Sequence, residues 1–277
     1  MILLVEHLNT LKYTSKEIKS LLKTGKVYFH GVPTADGRRI IDPRFIEIRP
    51  RAPRVTVGRD PVIIHKDTGF VVVYKPARYL SVPAPHRHKD PNILSFVNRL
   101  FKGAFAVHRL DEDTSGLMLV ATKESTQKAL KAQLEERNIQ RQYLAIASGH
   151  MKKPQTIDTI LTRDRGDGRR GVGAVGQRAI SHFTPIEKLK GACVIQAQLD
   201  TGRTHQIRIH LSEHLHPILG DTLYSPFKIQ RRAPRLALHA CSLKLDHPHS
   251  GKSCQFKAPL ADDLERLRRK LSQENKS

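Results

Sequence analysis

The chain has 277 residues, enough for one or two domains with a sizeable core. Lys and Arg number 48 against 26 Asp and Glu, a formal charge of +22. A balance this basic points to a polyanionic partner, RNA or DNA before any other. No apolar run approaches the roughly 20 residues of a membrane span, and no long basic amphipathic helix offers a membrane-surface anchor. The opening MILLVEHLNTLKY is too short in its apolar part for a signal peptide and has no basic leader. The three cysteines, Cys193, Cys241 and Cys254, form no CxxC pair. They read as buried small hydrophobes in a protein of the cytoplasm, not as a disulfide or zinc framework.

In chain order, Ser15 is expected to cap a helix running to about Leu22, with Ile18, Leu21 and Leu22 on one side. Lys26–His30 reads as a short strand before a turn at Gly31-Val32-Pro33, and Phe45–Ile48 as a second strand. Residues 49–60, RPRAPRVTVGRD, carry two prolines, several arginines and no core periodicity. The predicted division is therefore a small unit over 1–50, a linker over 51–60 and a larger unit over 61–277. Few core contacts should cross the linker, so deleting 1–50 is expected to leave a folded remainder.

In the larger unit, Phe70–Tyr74 and Leu117–Val120 are buried strand candidates, and residues 123–137 form a helix with Leu130 and Leu134 on one face. Ala192–Leu199 and Leu236–His239 are further strands. Leu260, Leu264, Leu267 and Leu271 mark a C-terminal helix, with Asp262-Asp263 early and Arg268-Arg269-Lys270 late. The order is not a clean βαβ alternation. It predicts an α+β fold on a mixed, largely antiparallel sheet flanked by helices.

Two motifs mislead. Gly171–Gly176 fits GxGxxG, but the charged loop RDRGDGRR precedes it and the strand-like QRAISHF follows, so a basic loop is the better reading than a dinucleotide site. His205, His210, His214 and His216 cluster, but Gln206–Leu211 alternates polar and apolar residues like a strand. A strand would keep His210 and His214 off a shared helical face, and no metal is expected.

The segment His108-Arg109-Leu110-Asp111-Glu112-Asp113-Thr114-Ser115-Gly116-Leu117 packs a cation, carboxylates and hydroxyls at the mouth of an apolar strand. Such a place can hold a carboxylate rigidly; taken alone it reads first as a charged turn capped by Asp111 or Asp113. TGRTHQIRIH at 201–210 supplies basic groups, and an arginine beside a carboxylate keeps it ionised. Spacing alone does not say whether Arg208 meets Asp111.

HRLDEDTSG resembles the H-R-L-D-x-x-T-S-G signature of the RluA family of pseudouridine synthases. Four more segments resemble that family in its order: Val72–Ala77 with Leu80–Pro83, Arg141–Ala145, TGRTHQIRIH with His216–Asp221, and Arg235–Ala240. Tyr74 and Arg78 depart from it, standing where Asn and Gly are common. The first 50 residues resemble the small RNA-binding domain of ribosomal protein S-four, through Ser15–Lys19, Leu21–Lys23 and Gly25–Val27, with His30-Gly31 in place of Asn-Gly.

The resemblance implies a pseudouridine synthase fold and isomerisation of a uridine within RNA, by a monomer needing no metal, nucleotide or other cofactor. Asp111 is then the carboxylate that starts glycosidic cleavage, with Arg208 as its opposing charge. Tyr143 stacks on the flipped uracil and helps remove the carbon-5 proton. Arg109 fills the vacated space, Leu238 packs on the base, and His108 and Thr114 line the substrate site. Lys16, Lys19, Lys23 and Lys26 contact phosphates. Large-subunit ribosomal RNA is the expected substrate, with transfer RNA as the alternative. A non-catalytic RNA-binding protein and a nucleoside hydrolase are the rivals from other classes.

Overall fold

A computed structural model describes residues 1–164 and 169–274; Arg165–Gly168 of the charged loop lie outside the described residues. The chain begins with β1 (Ile2–Leu3), α1 (Leu4–Thr10), α2 (Ser15–Lys23), β2 (Val27–Phe29), β3 (Val32–Pro33), β4 (Ile40–Ile41) and β5 (Ile46–Ile48). Leu4, Leu8, Ile18, Val27, Phe29 and Ile41 make its own small core. The cap of α2 is Thr14, one residue before the expected Ser15: Thr14 and Glu17 exchange side-chain and backbone hydrogen bonds in a capping box. The hairpin turn between β2 and β3 falls at His30-Gly31, earlier than expected, with both residues at positive φ (51° and 73°). A two-residue hairpin needs that conformation, and it is the one Asn-Gly usually supplies.

The larger unit continues with β6 (Val62–Lys66), β7 (Phe70–Lys75), α3 (Ile93–Leu100), β8 (Phe105–Ala106), β9 (Ser115–Ala121), α4 (Glu124–Glu135), β10 (Gln140–Ser148), β11 (Gln155–Thr162), β12 (Gly171–Val172), β13 (Gln177–Leu189), β14 (Ala192–Leu199), α5 (Gln206–Glu213), α6 (Phe227–Gln230), β15 (Leu238–Asp246), β16 (Ser253–Lys257) and α7 (Asp262–Gln273). One sheet carries the strands in the order β12-β11-β13-β14-β10-β15-β9-β7-β6, with β16 on β15 and β8 on β9. Every pairing is antiparallel except β15 with β9, so the sheet is mixed and largely antiparallel, as expected. Side chains alternate across it. Val71, Val73, Met118 and Val120 enter one core, and Phe70, Val72, Leu117 and Leu119 the other.

Three readings change. Gln206–Glu213 is a helix, not a strand, and Leu236-Ala237 precede β15 instead of opening it. Of the cysteines only Cys193 is buried; Cys241 and Cys254 are half-buried.

The stretch 51–60 has no helix or strand, yet it is not a free tether. Val55 donates to Thr24 O at 3.2 Å, and a Cβ on Gly25 would sit 2.5 Å from Val55 O. The small unit is also bolted to α7. Arg39, 4% exposed, donates to Leu260 O at 2.7 Å and to Asp262 at 2.8 Å. Thr34 Oγ1 and Ala35 N donate to the same carboxylate at 2.8 Å, and Arg269 pairs with Asp36. The expectation of few core contacts across 51–60 is therefore corrected: beside these polar bonds, Val32 of β3 joins the core of Phe70, Val72 and Leu117. Asp262→Ala strands buried Arg39, and removal of residues 1–50 uncovers α7 and the core beside Val32; each is expected to lower the melting temperature by roughly 5–10 °C. Calorimetry of the two variants beside the full chain checks it.

Three histidines are held neutral by burial. His239 bonds Ser115 Oγ at 2.9 Å, and burial pushes its pKa down to about 3. His108 accepts from Leu119 N at 3.0 Å and is likewise brought to about 3. His210, between Ser181 and Thr159, falls to about 4. Each folded pKa lies below the ordinary 6.5, so the unfolded chain binds the proton first on acidification. The stability they contribute is full above pH 6.5 and is lost as pH falls toward 4 and then 3, by up to roughly 1.4 kcal/mol per histidine per pH unit. Urea midpoints should therefore fall clearly between pH 7 and pH 5. Equal midpoints would mean the imidazoles are charged in the fold.

Candidate active site

Asp111 lies in the loop between β8 and β9, whose mouth opens at Ser115. There β9 meets β15 in parallel, with Ser115 opposite His239 and Gly116 opposite Ala240. A Cβ on Gly116 would lie 2.2 Å from Ala240 O, and its φ is 118°, so only glycine lets the strands close. The same register sets Tyr143 of β10 opposite Ala240. Asp111, Tyr143 and Leu238 thus line one cleft of about 680 Å³.

The loop is held by its backbone. Ser81 Oγ donates to Leu110 O at 2.7 Å and accepts from Leu110 N at 2.9 Å. Fully buried Lys75 donates to Pro76 O, Tyr79 O and Glu112 O at 3.0, 2.6 and 2.8 Å. Burial brings its ammonium down to about 7, against the pull of Asp111 and Asp113. Arg235, paired with Asp263 at 2.6 Å, reaches Ser115 Oγ at 3.1 Å. The loop therefore cannot shift without breaking bonds to Lys75 of β7, to Ser81 and to Arg235. Arg78 lies between these anchors at a φ of 60°, where a glycine fits without strain.

The opposite wall is α5. Arg208 Nε and Nη2 donate to Asp221 at 2.8 Å each, and Nη1 to Asp111 Oδ2 at 3.3 Å. The Arg208 and Asp221 side chains are 7% and 1% exposed. Burial works against both charges, but their mutual bonds prevail, raising Arg208 and lowering Asp221, which also accepts from Leu223 N and Tyr224 N. A buried, fully bonded guanidinium gives Asp111 a fixed cationic neighbour. His205, in the left-handed conformation that starts α5, sits 3.9 Å from Asp111 and bonds Tyr224 Oη at 2.9 Å. Burial pushes the pKa of His205 down, although Asp111 opposes this.

Asp111, Arg208, Tyr143, Leu238, Arg109, His108 and Thr114 all border the cleft. Arg109 is exposed, whereas His108 Nε2 is already occupied by Leu119 N, which makes the ring a wall element. Thr114 Oγ1 is buried without a partner among the described residues. Lys16, Lys19 and Lys23 are exposed on α2, Lys26 is half-buried beyond it, and none of the four borders this cleft. Burial raises the Tyr143 phenol above its ordinary value. Reasoning from the sequence left Asp221, Lys75, His205 and Arg141 without roles. All four lie inside segments that resemble the family's, and for Asp221 and Lys75 a polar residue beside an apolar stretch is the available signal. Arg141 is buried so tightly that a Cβ on Gly202 would come within 2.6 Å of its Nη1.

A larger cleft, about 840 Å³, lies between the small unit and the larger unit, lined by Arg39, Tyr74, Arg235 and Asp262 among others. It contains neither Asp111 nor Arg208, so size does not select it. His210 lies in α5 and His214 just past its end, correcting the expected strand, but their ring nitrogens bond Ser181, Thr159 and the backbone. No group of three His, Cys, Asp or Glu that could hold a metal occurs among the described residues. Activity is expected to survive EDTA; loss restored by zinc would identify a metal site.

Residues 69–213 match the sequence profile of the family described as RNA pseudouridylate synthase. The chain belongs to the RluA-type family of RNA pseudouridine synthases. A ribosomal large subunit pseudouridine synthase D of Neisseria meningitidis serogroup A is 32% identical over 278 residues, 92% of this chain and 74% of its own length. Its counterpart in Nitrosomonas europaea is 34% identical over 218 residues, 74% of this chain; the chain spans 63% of that relative. Human RNA pseudouridylate synthase domain containing 1 shares the fold, with a TM-score of 0.61 at 24% identity over 73% of this chain and 84% of its own. The synthase is thus an intramolecular isomerase with an RNA substrate. No helix among its described residues is long and apolar enough to cross a membrane.

Proposed function

We propose that this synthase isomerises uridines of large-subunit ribosomal RNA, with Asp111 as the carboxylate that starts the reaction. The observation that carries the reading is Asp111 at the cleft beside Arg208, itself locked by two bonds to Asp221. The glycosidic bond from the sugar to N1 breaks, the uracil turns in place, and the sugar bonds to C5, which gives up its proton while N1 gains one. Atoms balance without a donor or redox partner. Asp111 either attacks the sugar's anomeric carbon or takes the neighbouring ring proton; both routes need an ionised carboxylate, and the Arg208 guanidinium stands beside it.

The target base must leave its stack, at a cost of a few kcal/mol. Arg109 fills the gap, while Tyr143 and Leu238 hold the uracil. Tyr143 stays protonated because burial raises its pKa, so it takes part in C5 proton removal only together with another acceptor. The names of the relatives support a large-subunit target. The decisive experiment maps pseudouridines in cellular ribosomal and transfer RNA with and without the protein. Loss confined to transfer RNA would overturn the target.

The small unit is the RNA grip in this reading, resembling that of ribosomal protein S-four. Lys16, Lys19 and Lys23 fall on one exposed face of α2, at spacings of three and four residues. Replacing all three with Ala should weaken binding and flatten the plot of log affinity against log salt by about 0.7–0.9 per lost phosphate contact. An unchanged slope would remove this face from the interface.

A further inference from the structure

Between Asp221 and Asp246 the chain has no acidic residue, but it carries Lys228, Arg231, Arg232 and Arg235. In the middle of that stretch Phe227 is 70% exposed. Short α6 turns Ile229 toward the main core and leaves Phe227, Lys228 and Arg231 outside. The Arg231 guanidinium stands 5.7 Å from the Phe227 ring centroid. Neither Lys228 nor Arg231 has a carboxylate partner among the described residues. A single exposed apolar side chain needs no explanation. An exposed ring flanked by unneutralised cations is different, since it pairs a flat apolar face with charge for a phosphate.

The short helix that carries the ring is also held in place. Gln230 Nε2 donates to Ser225 O at 2.8 Å, Ser225 Oγ to Ile218 O at 2.7 Å, and Arg232 to Gly191 O and Lys190 O at 2.7 and 2.9 Å. It is joined to the candidate site by a short stretch of chain. Tyr224, bonded to His205 beside Asp111, is three residues away, so the two Cα atoms are at most roughly 11 Å apart.

We infer that Phe227 is a stacking platform for the base of a nucleotide flanking the target uridine, with Lys228 and Arg231 gripping its phosphates. The inference rests on the RNA-modifying reading and adds a binding site to it. Once the target leaves its stack, a neighbouring base has lost one face of contact, and an exposed aromatic ring replaces it.

The test uses the full chain with Asp111→Asn as parent, titrated against unmodified large-subunit ribosomal RNA transcribed in vitro. Phe227→Ala should raise Kd by about 5- to 100-fold, the loss of one base–aromatic stack. Phe227→Trp and Phe227→Tyr should stay within about threefold, and Phe227→Leu should behave like Ala. The salt slope should not change, because a stack releases no counterion, and the melting temperature should hold, because the ring is outside the core. Equal Kd for the Ala variant overturns the platform. So does a Leu variant as tight as Phe, which would mark an apolar docking surface for another protein, and so does a loss of affinity matched by a fall in melting temperature. If the parent does not bind this RNA and the unsubstituted chain does not modify it, the functional reading fails and the platform with it. If both succeed, a failing platform leaves that reading intact.

Discussion

Asp111→Asn should abolish pseudouridine formation, by on the order of 10⁴-fold or more, while RNA affinity stays within a few fold. The amide keeps the size of the carboxylate and removes the charge that either route of cleavage uses. The backbone around it is secured by Ser81 and Lys75, neither of which touches the Asp111 side chain, so the loop keeps its place. Arg208 keeps both bonds to Asp221, so no buried cation is left alone and the melting temperature should hardly move. Losing one negative charge beside a polyanion does not weaken binding. RNA tritiated at uracil C5 gives the readout, because the label must leave as water when that carbon bonds to the sugar. Tritium release by the Asn variant at a measurable rate would remove Asp111 from the chemistry.

Arg208→Ala should damage both fold and rate, and the two losses have separate causes. Asp221 would keep only the N–H groups of Leu223 and Tyr224 as partners, in a place 1% exposed to water. A buried carboxylate stripped of its guanidinium costs about 3–5 kcal/mol. Asp111 would lose its neighbour at 3.3 Å, and with it orientation and charge balance, for a fall in rate of about 10²-fold or more. Arg208→Lys should recover part of the stability and little of the rate. The guanidinium reaches Asp221 through Nε and Nη2 and Asp111 through Nη1 at once, and one ammonium cannot span that fork. Chemical unfolding and single-turnover rates on the same preparations separate the effects. A Lys variant of normal rate would show that any nearby positive charge suffices.

The Asp111 loop was readable because a block of polar residues ran directly into an apolar strand, and such a junction is visible in the chain itself. The helix carrying Arg208 was misread for a definite reason. Gln206–Leu211 is buried on every side, and its polar members Gln206, Arg208 and His210 are satisfied by Ser181, Asp221 and Thr159. Alternation normally reports which face meets water. Here neither face does, and the pattern reports partners instead. Asp221 escaped notice because its value lies in a contact 13 positions back along the chain. The joint between the small unit and α7 was illegible for the same reason on a larger scale: Arg39 and Asp262 are 223 positions apart, and only folding brings them together.

That joint also sets an order of events during synthesis. Thr34 leaves the ribosome 228 residues ahead of the aspartate it will bind. At ordinary translation speeds this is a wait of roughly 10–45 s. The small core of Leu4, Leu8, Ile18, Val27, Phe29 and Ile41 can form early, but Arg39 must remain solvated until α7 is made. Docking of the first-made segment onto the last is therefore a late folding step, and a nascent chain stalled before residue 262 should expose Arg39 to protease.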